Sequence, residues 1–187
     1  MITREMITEI HPSIGISSTL SQKTMIKRTK STKIGDVFEV KISETEKRYM
    51  QYVVSDMTNL NSDVIRVFKK IYSISEKPNI NEIVNDEVIF YAHCDSRNGI
   101  RQGYWTLYGN TENVGNTNDI YFKTSTDHGD VVSHNWYIWQ VNQKHQFIGE
   151  LTGDLKNINV GLVFPAVDIL YMIINNGSFE GVYPRCE

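Results

Sequence analysis

The chain has 187 residues, a formal net charge of -3, 40% hydrophobic residues and 22% charged residues. That length suits one domain with a core large enough to need no staples, and the balance is that of a globular chain. It carries no basic excess to neutralise a phosphate backbone, so a general nucleic-acid binder is not expected.

Cys94 and Cys186 are too few for a disulfide framework. The start, Met1-Ile2-Thr3-Arg4-Glu5, has no apolar signal region, so a reducing, cytoplasmic setting is expected. The longest apolar run, 160–174, is interrupted by Pro165 and Asp168 and is too short to span a bilayer. Alanine occurs only at 92 and 166 while Ile, Val, Tyr and Asn abound, which biases the chain toward strands and turns.

Residues 1–32 form an N-terminal arm rich in Ser, Thr, Lys and Arg. Lys23, Lys27, Arg28, Lys30 and Lys33 make a basic cluster, read as a solvated face or as contact with an acidic partner. Residues 33–187 are the β-rich domain. In 37–42 Phe38, Val40 and Ile42 alternate with Glu39 and Lys41, the period of a half-buried strand. Residues 49–54 and 64–68 follow as strands, with connections short enough for an antiparallel meander.

Asn79 caps a predicted short helix with Ile80, Ile83 and Val84 on one face. Residues 87–94 (EVIFYAHC) read as a central strand, 95–99 as a turn, and 103–109 as a strand with Trp105 and Leu107 sharing a face. A polar loop at 110–118, a short strand at 119–123 and a second loop at 124–134 precede a hairpin of 136–141 and 146–151. Pro165 opens a C-terminal helix with Val167, Leu170, Tyr171 and Ile174 as its apolar stripe and Gly177 as its left-handed stop. The expected fold class is α+β: a mostly antiparallel, strongly twisted sheet of roughly seven or eight strands, or a partly open barrel, with a short helix and one C-terminal helix.

No Walker, Rossmann, nucleophile-elbow or paired-cysteine pattern occurs. His93 and Cys94 are neighbours on a strand and so point to opposite faces, which argues against a shared metal. Cys94 reads as a buried small hydrophobe. An enzymatic or metal site would need His93, His128 and His134 to converge. Aromatic residues concentrate between 104 and 139, where Tyr and Trp serve either as interface anchors or as core. Acidic residues cluster in loops and on the short helix, where they would complement a basic partner or simply face water.

From Lys33 onward the chain resembles the immunity protein 26 family of bacterial polymorphic-toxin systems. The resemblance is carried by KIGDVFEVKI at 33–42, YMQYVVSD at 49–56, VIRVF at 64–68, NINEI at 79–83, GYWTLYG at 103–109 and AVDIL at 166–170. The arm and the two long loops depart from it. The resemblance implies a cytoplasmic protein, without cofactor or turnover, that buries about 800 Å² against a cognate toxin domain such as a nuclease. Its partners are that protein, not nucleic acid or membrane. The residues selected to meet it are Glu82, Asp86, Glu87, Tyr104, Tyr108, Asp127, Asp130 and Tyr137. The alternative is a small-ligand or peptide-binding β-domain with a cleft lined by Trp105, Trp136 and Trp139.

Overall fold

The computed structural model describes residues 31–127, 130–178 and 184–186. All but the last two residues of the arm, His128 and most of the tail lie outside the described residues. The fold is α+β, with eleven strands and three α-helices among the described residues, in mixed, mostly antiparallel sheets that do not close into a barrel.

The first sheet holds β1 (Asp36–Lys41), β2 (Glu46–Asp56), β3 (Ser62–Phe68), β4 (Tyr72–Ser73), β5 (Val88–Cys94), β6 (Thr106–Asn110) and β11 (Val163–Phe164). Its order is β11-β5-β3-β2-β1-β6, with β4 paired to β2. The meander of β1, β2 and β3 is antiparallel, as their short connections require. The second sheet has the order β10-β7-β8-β9, from β7 (Tyr121–Ser125), β8 (Trp136–Gln140), β9 (Gln146–Gly149) and β10 (Asn159–Val160). Gly161 and Leu162 carry the chain from one sheet to the other, so β10 lies parallel to β7 and β11 parallel to β5. A period-two pattern cannot be read in strands of two residues.

The expected half-buried strands are instead covered on both faces. On one face Phe38, Val40, Met50, Tyr52, Ile65, Val67, Ala92 and Cys94 pack under the helices. On the other, Val37, Tyr49 and Phe68 meet α1 (Ile80–Val84) at one end. Val53 and Val64 meet Phe122, Trp139 and Val141 of the second sheet at the other end. Between these clusters Arg66 donates twice to Gln51 Oε1, at 2.9 and 2.7 Å, and once to the Asn113 carbonyl at 3.1 Å. The polar loop at 110–118 is thereby strapped down onto the sheet.

The helices follow their caps. Asn79 Oδ1 accepts the Asn81 amide at 2.9 Å at the start of α1. Residues 95–99, expected as a turn, belong to α2 (Ser96–Gln102), capped by Asp95 and ended by Gly103 at φ 79°. Its sequence SRNGIRQ has a single apolar residue, so no helical period announces it. Packing holds it instead: the Trp105 indole donates to the Ser96 carbonyl at 2.8 Å. Trp105 is buried while Leu107 is exposed, so they do not share a covered face. In α3 (Ala166–Ile174) Pro165 stands at the N-cap rather than inside the first turn. The left-handed exit is shared by Asn176, φ 55°, and Gly177, φ 86°. Arg48 reaches across from β2 and donates to the Ile173 carbonyl at 2.8 Å and to Asn176 Oδ1 at 2.5 Å, placing a cation at the helix C-terminus.

A Cβ on Gly99 would lie 1.8 Å from Trp105 Cζ2. The Gly99→Ala substitution is therefore expected to lower stability by about 1–3 kcal/mol despite the better helix propensity of alanine. Urea denaturation followed by tryptophan fluorescence measures it, and an unchanged or higher midpoint would refute the close contact.

Candidate functional site

The groups with chemistry to offer sit in two kinds of place. His93 projects from β5 into the junction between the sheets, fully buried, 4.0 Å from the Phe122 ring centroid. Its Nε2 donates to Asp56 Oδ2 at 3.1 Å, and Trp139 Nε1 donates to the same oxygen at 3.0 Å. The amides of Thr58 and Asn59 donate to Asp56 Oδ1 at 3.2 and 3.4 Å. Burial by itself would raise the Asp56 carboxyl, but the bonds from Trp139, His93 and the two amides bring it below its ordinary value. For His93, burial lowers the imidazole, and the Asp56 contact reverses only part of that. The ring is thus neutral, with its proton on Nε2 and with Nδ1 buried and unpartnered.

This carboxylate–imidazole–indole group does not form a reaction centre. No described nucleophile meets the free Nδ1, and the group is closed to solvent. His134 is elsewhere, 55% exposed and paired to Glu150 at 3.1 Å, and His128 lies outside the described residues. Among the described residues no group of three or more His, Cys, Asp or Glu side chains is placed to hold a metal ion. Cys94 faces the helix-covered side, opposite His93, and burial pushes its thiol well above its ordinary value.

The three tryptophans do not line one cleft. Trp105 lies under the helices and Trp139 lies between the sheets. Trp136, three residues before Trp139 on the same strand, faces the other way and donates to the Ser133 carbonyl at 2.8 Å.

The residues selected as partner contacts fall into three groups. Tyr104 is buried, and Tyr108 is half-buried against Tyr49, its hydroxyl donating to the Pro78 carbonyl at 2.6 Å. Both serve the core: Tyr104 joins the cluster under the helices, and Tyr108 packs against the cluster of Val37, Tyr49 and Tyr72. Glu82 pairs with Lys70 at 2.5 Å and Glu87 with Lys69 at 2.8 Å, while Asp86 accepts the Lys70 amide at 2.6 Å. That cluster is answered locally by lysine and offers little unbalanced charge. Asp127, Asp130 and Tyr137 remain, all on the second sheet or the loop beside it.

There large side chains stay in water beside a strand edge. β9 is the outer strand, with β8 on one side and no described strand on the other. Phe147 is 58% exposed upon it. The half-exposed Tyr137 ring lies 5.2 Å from Phe147 and 5.3 Å from His145. Met57, 65% exposed, is fastened to the same hairpin by its amide, which donates to Asn142 Oδ1 at 2.9 Å. The register Ser125–Trp136–Gly149 brings Asp127 and Glu150 to one end of this sheet. Asp127 accepts from Ser133 Oγ at 2.5 Å and from Asn135, contacts that hold its carboxyl below its ordinary value. Met57, His145 and Phe147 were missed in the sequence, because nothing in a four-residue strand tells an outer strand from an inner one.

The chain matches no family model, no curated protein and no solved structure. No helix among the described residues is long and apolar enough to cross a membrane.

The junction predicts a pH dependence. The folded His93 value lies below the ordinary 6.5, so below that pH the unfolded chain binds the extra proton first and stability falls as pH falls. Protonation would also add a buried N–H with no acceptor. The lowered Asp56 value adds a second loss below its ordinary 3.8. Urea midpoints measured from pH 8 to pH 5 should decline, and His93→Gln, which keeps a donor for Asp56, should flatten that decline. A wild-type profile that is already flat would contradict the buried neutral imidazole.

Proposed function

We propose that the protein is a binding module without turnover, which neutralises a cognate toxin domain through the outer end of its second sheet. The observation that carries the reading is the exposure of Phe147 beside Tyr137 on an open strand edge, with the exposed Met57 bound to the turn of the same hairpin. Large apolar side chains left in water beside such an edge are what a protein interface uses as anchors. Asp127, Asp130 and Glu150 supply an acidic rim that would speed encounter with a basic partner, such as a nucleic-acid-cleaving toxin.

The toxin part of the reading rests on the resemblance to the immunity family. The strings that carry it fall on β1, β2, β3, α1, β6 and the start of α3, in that order. These elements form the frame, whereas the anchors lie on the second sheet, outside the strings. A frame shared within a group, carrying a variable binding end, suits proteins that must each recognise a different partner.

The test is a pull-down from the source cells with tagged protein, followed by co-expression. The expected result is one stoichiometric protein whose C-terminal domain kills cells alone and spares them when this chain is present. Phe147→Asp is expected to weaken that complex by at least about tenfold, while leaving the urea midpoint unchanged. If the captured domain is harmless, the toxin reading is lost. If Phe147→Asp and Met57→Asp protect as well as wild type, the surface is misassigned.

A further inference from the structure

The end of α3, β5 and the chain around β10 bound a cavity of about 250 Å³. Its apolar walls are Ile89 and Phe90 of β5, Ile158 and Val160, and Met172 of α3. Asn159 stands in the wall with both ends of its carboxamide engaged. Its Oδ1 accepts the Tyr91 amide at 2.9 Å, and its Nδ2 donates to the Tyr121 carbonyl at 3.2 Å. The cavity is closed on that side, so it suits a small molecule. Its volume lies below the roughly 300–1,000 Å³ of drug-sized pockets, which leaves room for an apolar tail of a few carbons.

The polar end of the cavity has a direction. Asn176 lines it, and Arg48 donates to Asn176 Oδ1 at 2.5 Å. A guanidinium has only donors, so that contact fixes the carboxamide. Oδ1 faces Arg48, and Nδ2 is left without a partner among the described residues. Donation into Oδ1 also makes Nδ2 a stronger donor. Arg48 itself is 4% exposed and bonds only to neutral oxygens, those of Asn176 and Ile173, while its Nε is buried and unpartnered. Asp86 and Glu46 act on it only through space. A negative head at Asn176 would therefore meet a cation that no bonded carboxylate neutralises, where water screens little of the attraction. The carbonyl end of α3 disfavours an anion, and the bond from Arg48 to the Ile173 carbonyl offsets that. No Asp or Glu lines the cavity, and the exposed Asn157 adds a second carboxamide to the lining.

We propose that this cavity binds a small apolar monocarboxylate, with its tail against Ile89, Val160 and Met172 and its carboxylate on Asn176 Nδ2, Arg48 standing behind as the counter-charge. The site is separate from the Phe147 surface and does not depend on the toxin reading.

The test titrates the full chain, isotopically labelled, with hexanoate, and with hexanamide and hexan-1-ol as neutral analogues of the same length. The expected result is a saturable shift of the Ile89 and Met172 methyl signals. Hexanoate should bind at least about fivefold more tightly than either analogue, because only it gains from the cation. Asn176→Asp, a change at an exposed position, replaces the donor by a carboxylate that occupies Arg48, and it should abolish hexanoate binding. The proposal is overturned if hexanoate gives no saturable shift up to about 10 mM. It is also overturned if the neutral analogues bind as tightly, which would mark a plain apolar hole, or if Asn176→Asp binds hexanoate as well as wild type.

Discussion

Asp56 ends β2 with none of its surface exposed, and it takes hydrogen bonds from both sheets at once. His93 reaches it from within the first sheet and Trp139 from the second. A buried carboxylate without such donors would cost several kcal/mol, so the donors and the acceptor must arrive together. That requirement fixes the spacing of the sheets. Trp139 is then pressed so close to Gly161 that an added Cβ would lie 1.8 Å from its ring. The chain can cross there from β10 to β11 only because residue 161 has no side chain.

Covering the first sheet on both faces has a second consequence. Charged and polar side chains that alternation would have put in water are enclosed. Arg66 and Gln51 satisfy each other and the Asn113 carbonyl; Arg48 closes the end of α3; Lys47 pairs with Glu39 at 2.8 Å. Each is a side chain whose stem packs while its head finds carbonyls, a carboxamide or a carboxylate. These contacts explain why so polar a chain forms an extended core. They also leave few charges free for a partner, which moves attention to the ends and edges of the sheets.

The open edges are the places where the frame leaves hydrogen-bonding capacity or apolar surface unused. β9 offers Phe147 and Tyr137 with a hairpin bound to Met57. Such a surface suits the binding role proposed for this chain.

The sequence by itself determined the local elements. The alternating run of β1, the apolar runs of β2 and β3, the hairpin of β8 and β9, the Asn79 cap of α1 and the start and stop of α3 were legible, because each depends on neighbours within a few residues; the α3 stripe was not, since the buried face runs through Ala166, Ile169, Leu170 and Ile173 while Val167, Tyr171 and Ile174 are only half-buried. It also placed His93 and Cys94 on opposite faces, a matter of strand geometry alone. Asp127, Asp130 and Tyr137 were selected by residue type and lie on or beside the second sheet, whereas Tyr104 and Tyr108 went to the core. Only the tertiary structure decided which faces were covered twice, where the three tryptophans went, that SRNGIRQ is a helix, and which strands stand at an edge. Alternation tells which side chains share a face, but whether that face meets water, a helix or another sheet depends on segments distant in the chain. A capped helix packed through Gly99 on Trp105 likewise owes its form to a contact that no local period encodes.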